Sequence, residues 1–154
     1  MNKADTAQAP ASLLIATYDT KSEEALYLKS RMESLGCRVL SMDTGILEES
    51  GQTADVTRHQ VAEAGGAKVA ELIASGDKGR CIGAMVRGAS VWAKRLYDEG
   101  RIQGILSIGG AQGTDIGTAA MRELPFGVPK FMVSTVASGR ATFGPFVGTK
   151  DIAI

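Results

Sequence analysis

The sequence predicts an α/β fold, a Rossmann-like three-layer sandwich built on a parallel sheet of strand order about 2-1-3-4. Three observations predict it. Short apolar runs without alternation, such as Leu13-Leu14-Ile15-Ala16, suit strands covered on both faces. These runs take turns with segments of helical periodicity, and strands joined by helices form parallel sheets with right-handed crossovers. A glycine-rich turn, Gly109-Gly110-Ala111-Gln112-Gly113-Thr114, stands directly between a strand candidate and a helix candidate.

Taken in order, residues 1–11 are small and polar and read as a flexible tail, and residues 12–154 as one nucleotide-binding domain. The first strand is expected at residues 12–17. A helix follows Tyr18-Asp19-Thr20-Lys21, with Thr20 and Glu23 spaced as a capping box and Ala25, Leu28, Met32 and Leu35 as its apolar stripe. Gly36 stands where a left-handed helix end belongs. Residues 38–43 are the second strand, and 46–55 turn polar and read as a mobile surface excursion. Residues 57–75 are helical in pattern but weakened by Gly65-Gly66, at about 1 kcal/mol for each interior glycine. The strongest helix is 77–100, capped by Asp77, with Ile82, Met85, Val86, Ala89, Ala93 and Leu96 on one stripe and Trp92 beside it. Residues 104–108 form the third strand, a helix runs from the glycine turn to Leu124, and 129–135 form the fourth strand. Loop residues follow, and 151–154 look like a strand beginning. An unpaired strand edge is a liability, so this last segment is expected to pair.

Composition narrows the partners. With 17 basic and 17 acidic residues in 154, the chain lacks the cationic excess that drives nucleic-acid binding, and it has no polybasic run to meet an anionic membrane. No stretch reaches bilayer length, and the first residues lack a secretory pattern. A cytoplasmic location is expected, with Cys37 and Cys81 as reduced core thiols.

In a sheet of order 2-1-3-4 the switch point lies between the first and third strands, and ligands bind beyond the carboxyl ends of the strands there. Two turns meet at that point. In the 109–114 turn, glycines let backbone approach an anion, and the next helix directs free amides and its positive dipole end to the same place. Gly109, Gly110, Gly113 and Thr114 are the expected phosphate cradle; the alternative is a tight turn packing strand against helix. The loop is neither a Walker sequence nor a dinucleotide fingerprint, and Asp115 beside it would repel phosphate unless Mg²⁺ intervened. Opposite lie Thr20 and Lys21, suited to contact an oxygen and offset its charge. Asp43, ending the second strand, stands where an acid accepts from ribose hydroxyls. Ser134, Thr135 and Ser138 add hydroxyls at the end of the fourth strand. Catalytic groups are sparse: His59 is the sole histidine, the cysteines lack zinc spacing, and there is no nucleophile elbow.

Four segments resemble one family: 15–21, 76–79 with its helix, 108–114, and 133–139 leading to 147–151. Together, in order and at similar spacing, they are similar to the N-terminal region of an ATP-binding family that includes the tomato resistance protein against tobamoviruses. The resemblance implies a Rossmann-like domain that binds ATP, with or without Mg²⁺. It assigns contacts to Thr17, Asp19 and Thr20, to Gly109, Gly110, Gly113 and Thr114, to Thr135, Ala137 and Ser138, and to Gly148 and Thr149. This chain departs from the pattern at Ala111-Gln112, where Ser-Gly is usual, and in a longer stretch at 140–146. The resemblance also implies a second α/β domain or chain as partner. The expected function is ATP binding with a regulatory or partner-binding role. The alternative is the half-site of a transferase or hydrolase whose catalytic groups come from elsewhere. A homodimer through the Trp92 helix or the last strand is a further expectation.

Overall fold

In the computed structural model, which describes residues 9–47, 51–137 and 144–154, β1 (Ala11–Ala16) lies at the centre of the fold with Leu13, Leu14, Ile15 and Ala16 all buried. Its two neighbours are β2 (Arg38–Asp43) and β3 (Gly104–Gly109), and β4 (Lys130–Ser134) pairs with β3. All pairings are parallel and the order is β2-β1-β3-β4, as the alternating elements predict. A parallel sheet buries both faces of its central strands, which is why β1 carries no polar alternation.

Beneath one face, α2 (Arg58–Ala64) and α5 (Ala111–Arg122) lie on the strands, with α4 (Lys78–Asp98) packed between them and α3 (Val69–Ser75) flanking. Met85, Ala89, Ala93 and Leu96 of α4 join Leu13, Ile15, Ile105 and Ile116 in the main core. The other face carries α1 (Tyr18–Ser34), which closes a smaller core of Leu14, Ala16, Tyr18, Ala25, Val39 and Ile108. Among the described residues no helix is long and apolar enough to cross a membrane.

Several local expectations change. The Thr20–Glu23 capping box is not what starts α1: the helix begins at Tyr18, and the amides of Thr20 and Lys21 bond the Thr17 carbonyl at 3.1 and 2.8 Å. Lys21 then leaves helical geometry (φ −134°, ψ 22°), so the first turn is kinked from the rest. Leu35 falls past the helix end and is 80% exposed, outside the apolar stripe. The capping box belongs instead to α2, where Thr57 and Gln60 satisfy each other's amides.

The single helix expected at 57–75 is two, broken at Gly65-Gly66. The reason is tertiary. A Cβ on Gly65 would lie 2.0 Å from the Ala84 carbonyl, and one on Gly88 would lie 1.8 Å from the Val61 carbonyl. Helices α2 and α4 therefore touch backbone to backbone. The 46–55 excursion is also less free than its polarity suggests. Ile46 is buried, the Ser41 amide and hydroxyl donate to Asp55, and Val56 pairs in parallel with Met42; residues 48–50 lie outside the described residues. Cys81 is a core thiol, but Cys37 is half-buried. A short helix, α6 (Gly144–Val147), forms where loop was expected and packs on α5. Near the end of the chain Ala153 makes an isolated parallel bridge beside β4, bonding to Lys130 and Met132.

Candidate functional site

The carboxyl ends of β1 and β3 stand side by side, with the β1–α1 turn on one side and the β3–α5 turn on the other. Between α1 and the ends of β3 and β4 opens a cleft of about 590 Å³, lined by Lys21, Glu23, Glu24, Tyr27 and Leu28 from the helix and by Ile108, Gly109, Val133 and Thr135 from the strands. Three residues singled out from sequence, Lys21, Gly109 and Thr135, meet here. The exposed walls are mostly apolar, a feature of small-molecule sites, and the charged groups, Lys21, Glu23 and Glu24, all come from α1.

At the top of the cleft, α5 begins without a side-chain cap. Its first internal bond runs from the Thr114 amide to the Gly110 carbonyl, 2.8 Å, so the amides of Ala111, Gln112 and Gly113 are directed beyond the helix start, where a dipole favours negative charge. The glycines divide by role. A Cβ on Gly109 would lie 2.6 Å from the Gly113 Cα, and one on Gly113 would lie 3.3 Å from the Ile108 carbonyl. These two let helix and strand close on each other, the tight-turn alternative. Gly110 differs. It is half-exposed, and a Cβ there would meet only Thr135 Oγ1, at 3.7 Å. That is a cradle a side chain would fill.

Thr114 is fully buried. Its hydroxyl sits 2.7 Å from the Gly110 carbonyl and 2.7 Å from Ser134 Oγ, so it stitches α5 to β4. Ser134 Oγ in turn accepts from the amides of Val136 and Ala137, which curls the chain after β4 and leaves Ala137 half-buried. Thr135 stays exposed, its amide bonded to the Gly109 carbonyl. Ser138 lies outside the described residues. Gly148 and Thr149 are not brought to this mouth: Gly148 lies beside Arg122, at the last turn of α5, which is ~16 Å along the helix from its start.

Across the crevice the two aspartates hold backbone. Asp19 Oδ2 accepts from the amides of Ile46 and Leu47 at 2.9 and 2.8 Å, while Asp43 Oδ1 accepts from Tyr18 and Gly45 at 3.0 and 2.8 Å. Each turn thus grips the other. Gly45 is required by the same clamp, since a Cβ there would lie 2.7 Å from the Asp19 carboxyl carbon. Burial pushes the Asp43 carboxyl above its ordinary range, against the pull of the Gly45 and Tyr18 amides. Thr17 and Thr20 pair through their hydroxyls at 3.1 Å, with Thr17 buried and Thr20 exposed. The Lys21 ammonium reaches Glu24 at 2.7 Å, and that bond holds the Glu24 carboxyl below its usual range.

Sequence reasoning missed Tyr27, Leu28, Ile108 and Val133 as cleft walls. Nothing marks them locally, because helix and strand residues that line a cleft carry the same apolar signature as core. A larger groove, about 940 Å³, runs outside α4 and α5. Its Lys94 and Arg95 are paired with Asp98 and Glu99, and it lies away from the strand ends. Among the described residues no group of three or more His, Cys, Asp or Glu is placed to hold a metal.

The parallel sheet of order β2-β1-β3-β4, with helices on both faces, defines a Rossmann-like α/β domain. The chain belongs to the UPF0261 family: residues 10–154 match the model described as the N-terminal domain of that uncharacterised protein family. It is 39% identical over 142 residues to a UPF0261 protein of Clostridium tetani, covering 92% of this chain and 35% of the relative. To a UPF0261 protein of Brucella suis it is 37% identical over 129 residues, covering 84% and 31%. A more distant similarity, 27% over 172 residues, links it to the ToMV resistance protein Tm-1 of tomato, covering 97% of this chain and 22% of that protein. The chain spans about a third of the length of its bacterial relatives.

Proposed function

We propose that this domain binds a phosphorylated small molecule, ATP first among candidates, in the cleft between α1 and the ends of β3 and β4. The observation that carries the reading is the uncapped start of α5 at Gly110, adjoining an apolar cleft of about 590 Å³. Backbone amides supply a seat for phosphate oxygens without a lysine-bearing loop. Tyr27, Leu28 and Val133 offer a flat apolar wall for a base, and Thr135 a hydroxyl at the rim. Lys21 shares its charge with Glu24, so an arriving phosphate competes for a partnered ammonium. The resemblance in four ordered segments ranks ATP above other phosphorylated ligands. The role proposed is regulatory or partner-binding: Asp19 and Asp43 beside the cleft hold backbone amides, and Lys21 and Glu24 within it hold each other.

The test is a thermal-shift and calorimetric series with ATP, ADP and AMP, with and without Mg²⁺. Ligand at 100 times its dissociation constant stabilises a fold by about 2.7 kcal/mol. Gly110→Val, whose side chain has room in the fold, is expected to keep the melting temperature and abolish the nucleotide shift. Absence of a shift with every nucleotide, or an unchanged affinity in Gly110→Val, would remove this reading.

A further inference from the structure

Of the three charged side chains that line the cleft, one stands apart. Lys21 and Glu24 hold each other at 2.7 Å. The Glu23 side chain is exposed and makes no ion pair or hydrogen bond among the described residues. It caps nothing either, because α1 begins at Tyr18 without a side-chain cap. The fold leaves this carboxylate uncommitted, and an ionised carboxylate only accepts hydrogen bonds.

Its position says what it can accept from. α1 follows β1, so it starts at the strand ends and runs back along the sheet. Entering from the mouth, its cleft residues come in the order Lys21, then Glu23 and Glu24, then Tyr27 and Leu28. Glu23 and Tyr27 are four residues apart on one helix face, ~6 Å along the axis. The opposite wall changes character over a similar distance. Thr135 and Gly109 stand at the strand ends, whereas Val133, paired with Ile108, lies two residues back from Thr135 and ~6.6 Å deeper. Both walls pass from polar at the mouth to apolar one step inside. A nucleotide has the same order of parts: phosphate, then sugar, then base. With phosphate at the start of α5 and the base against Tyr27, Leu28 and Val133, the sugar falls at the level of Glu23.

Asp43 does not compete for the sugar. It is buried at the end of β2, its Oδ1 holds the amides of Tyr18 and Gly45, and it lines a separate pocket with Thr57 and His59. We infer that Glu23 is a specificity-determining residue for ribose, its carboxylate accepting from the vicinal 2′ and 3′ hydroxyls of the nucleotide in the cleft. The inference rests on the nucleotide reading and narrows it to ribonucleotides. Glu23 also repels a neighbouring phosphate, so it favours only a ligand that brings those hydroxyls.

The test compares ATP with 2′,3′-dideoxy-ATP by calorimetry on the parent chain, Glu23→Ala and Glu23→Gln. Glu23 is exposed, so both variants should keep the parent's melting temperature without ligand. Hydrogen bonds to a charged acceptor are among the stronger ones, and the parent is expected to hold ATP about tenfold more tightly than the analogue. Glu23→Ala should bring the two affinities within about twofold of each other, by weakening ATP and not the analogue. Glu23→Gln keeps an acceptor without the charge and should fall between. A structural role would weaken both nucleotides alike and preserve their ratio, which overturns the inference. So does a parent that binds both equally, or a ratio lost in Glu24→Ala and kept in Glu23→Ala. Absence of binding by either nucleotide removes the nucleotide reading and the ribose assignment together, whereas equal binding of the two removes the ribose assignment alone.

Discussion

Asp43 shows how one residue changes meaning between sequence and structure. At the end of β2 it stands where an acid would meet ribose, yet its carboxylate holds the amides of Tyr18 and Gly45. Burial is the largest influence on it and raises its pKa above the ordinary 3.8. A carboxyl that holds its proton more tightly in the folded state stabilises the fold most below the unfolded value, and that contribution is lost as pH rises through the folded value. Asp43→Asn keeps an acceptor for both amides and removes the titration. Urea unfolding from about pH 4 to 6 should therefore show a flatter pH slope in the variant than in the parent. Asp43→Ala strands two buried amides, at about 1–3 kcal/mol for each unsatisfied group, and is expected to lower the urea midpoint at every pH. Of the residues singled out from sequence, Lys21, Gly110 and Thr135 border open space, whereas Thr114, Asp19 and Asp43 serve the fold. The difference is unreadable locally, because a hydroxyl or carboxylate looks the same whether it faces a ligand or a neighbouring turn.

At the scale of elements, α4 makes the sharpest prediction. Its apolar stripe and Asp77 cap are plain in the sequence, and the helix spans Lys78–Asp98. What the pattern hides is Gly88, where the Val61 carbonyl leaves no room for a Cβ. Gly88→Ala should force α2 and α4 apart and destabilise by about 1–3 kcal/mol, the usual cost of overpacking. Gly83→Ala, in the same helix, meets only the tip of Arg87 at 3.5 Å and should stabilise by up to about 1 kcal/mol through helix propensity. Denaturant midpoints moving in opposite directions confirm the close crossing; equal shifts contradict it. The start of α1 went the other way. Thr20 and Glu23 fit a cap on spacing alone, but the clamp formed by Asp19 and the paired hydroxyls of Thr17 and Thr20 accompanies a cap three residues earlier, at Thr17. Side chains committed to another strand's loop outweigh a local signal.

For the whole molecule, the segment 151–154 is tied to β4 by the backbone bonds of Ala153 and by the ion pair of Asp151 with Lys130. The Lys130 side chain is fully buried, and its ammonium meets the carbonyls of Pro125 and Val128 and the Asp151 carboxylate at 2.7, 2.9 and 2.7 Å. The hydrogen bond from Lys130 is the chief cause of a lowered Asp151 pKa, with the Gly127 amide next. A depressed carboxyl contributes stability above its unfolded pKa and loses it as pH falls through the folded value. Asp151→Ala removes a partner from a buried cation, which destabilises more than absence of the pair itself. It should lower the melting temperature at neutral pH and much less in acid. Adding Lys130→Met should recover most of the loss, and failure to recover would show that Asp151 acts through Gly127 instead. The sequence by itself determined the parallel α/β class, the strand order and the switch point, because periodicity, glycine placement and crossover handedness are local or topological properties. Only the tertiary structure decided which turn residues face a cleft and which glycines separate helices. Those facts depend on what stands opposite each residue, and the partners are distant in the chain.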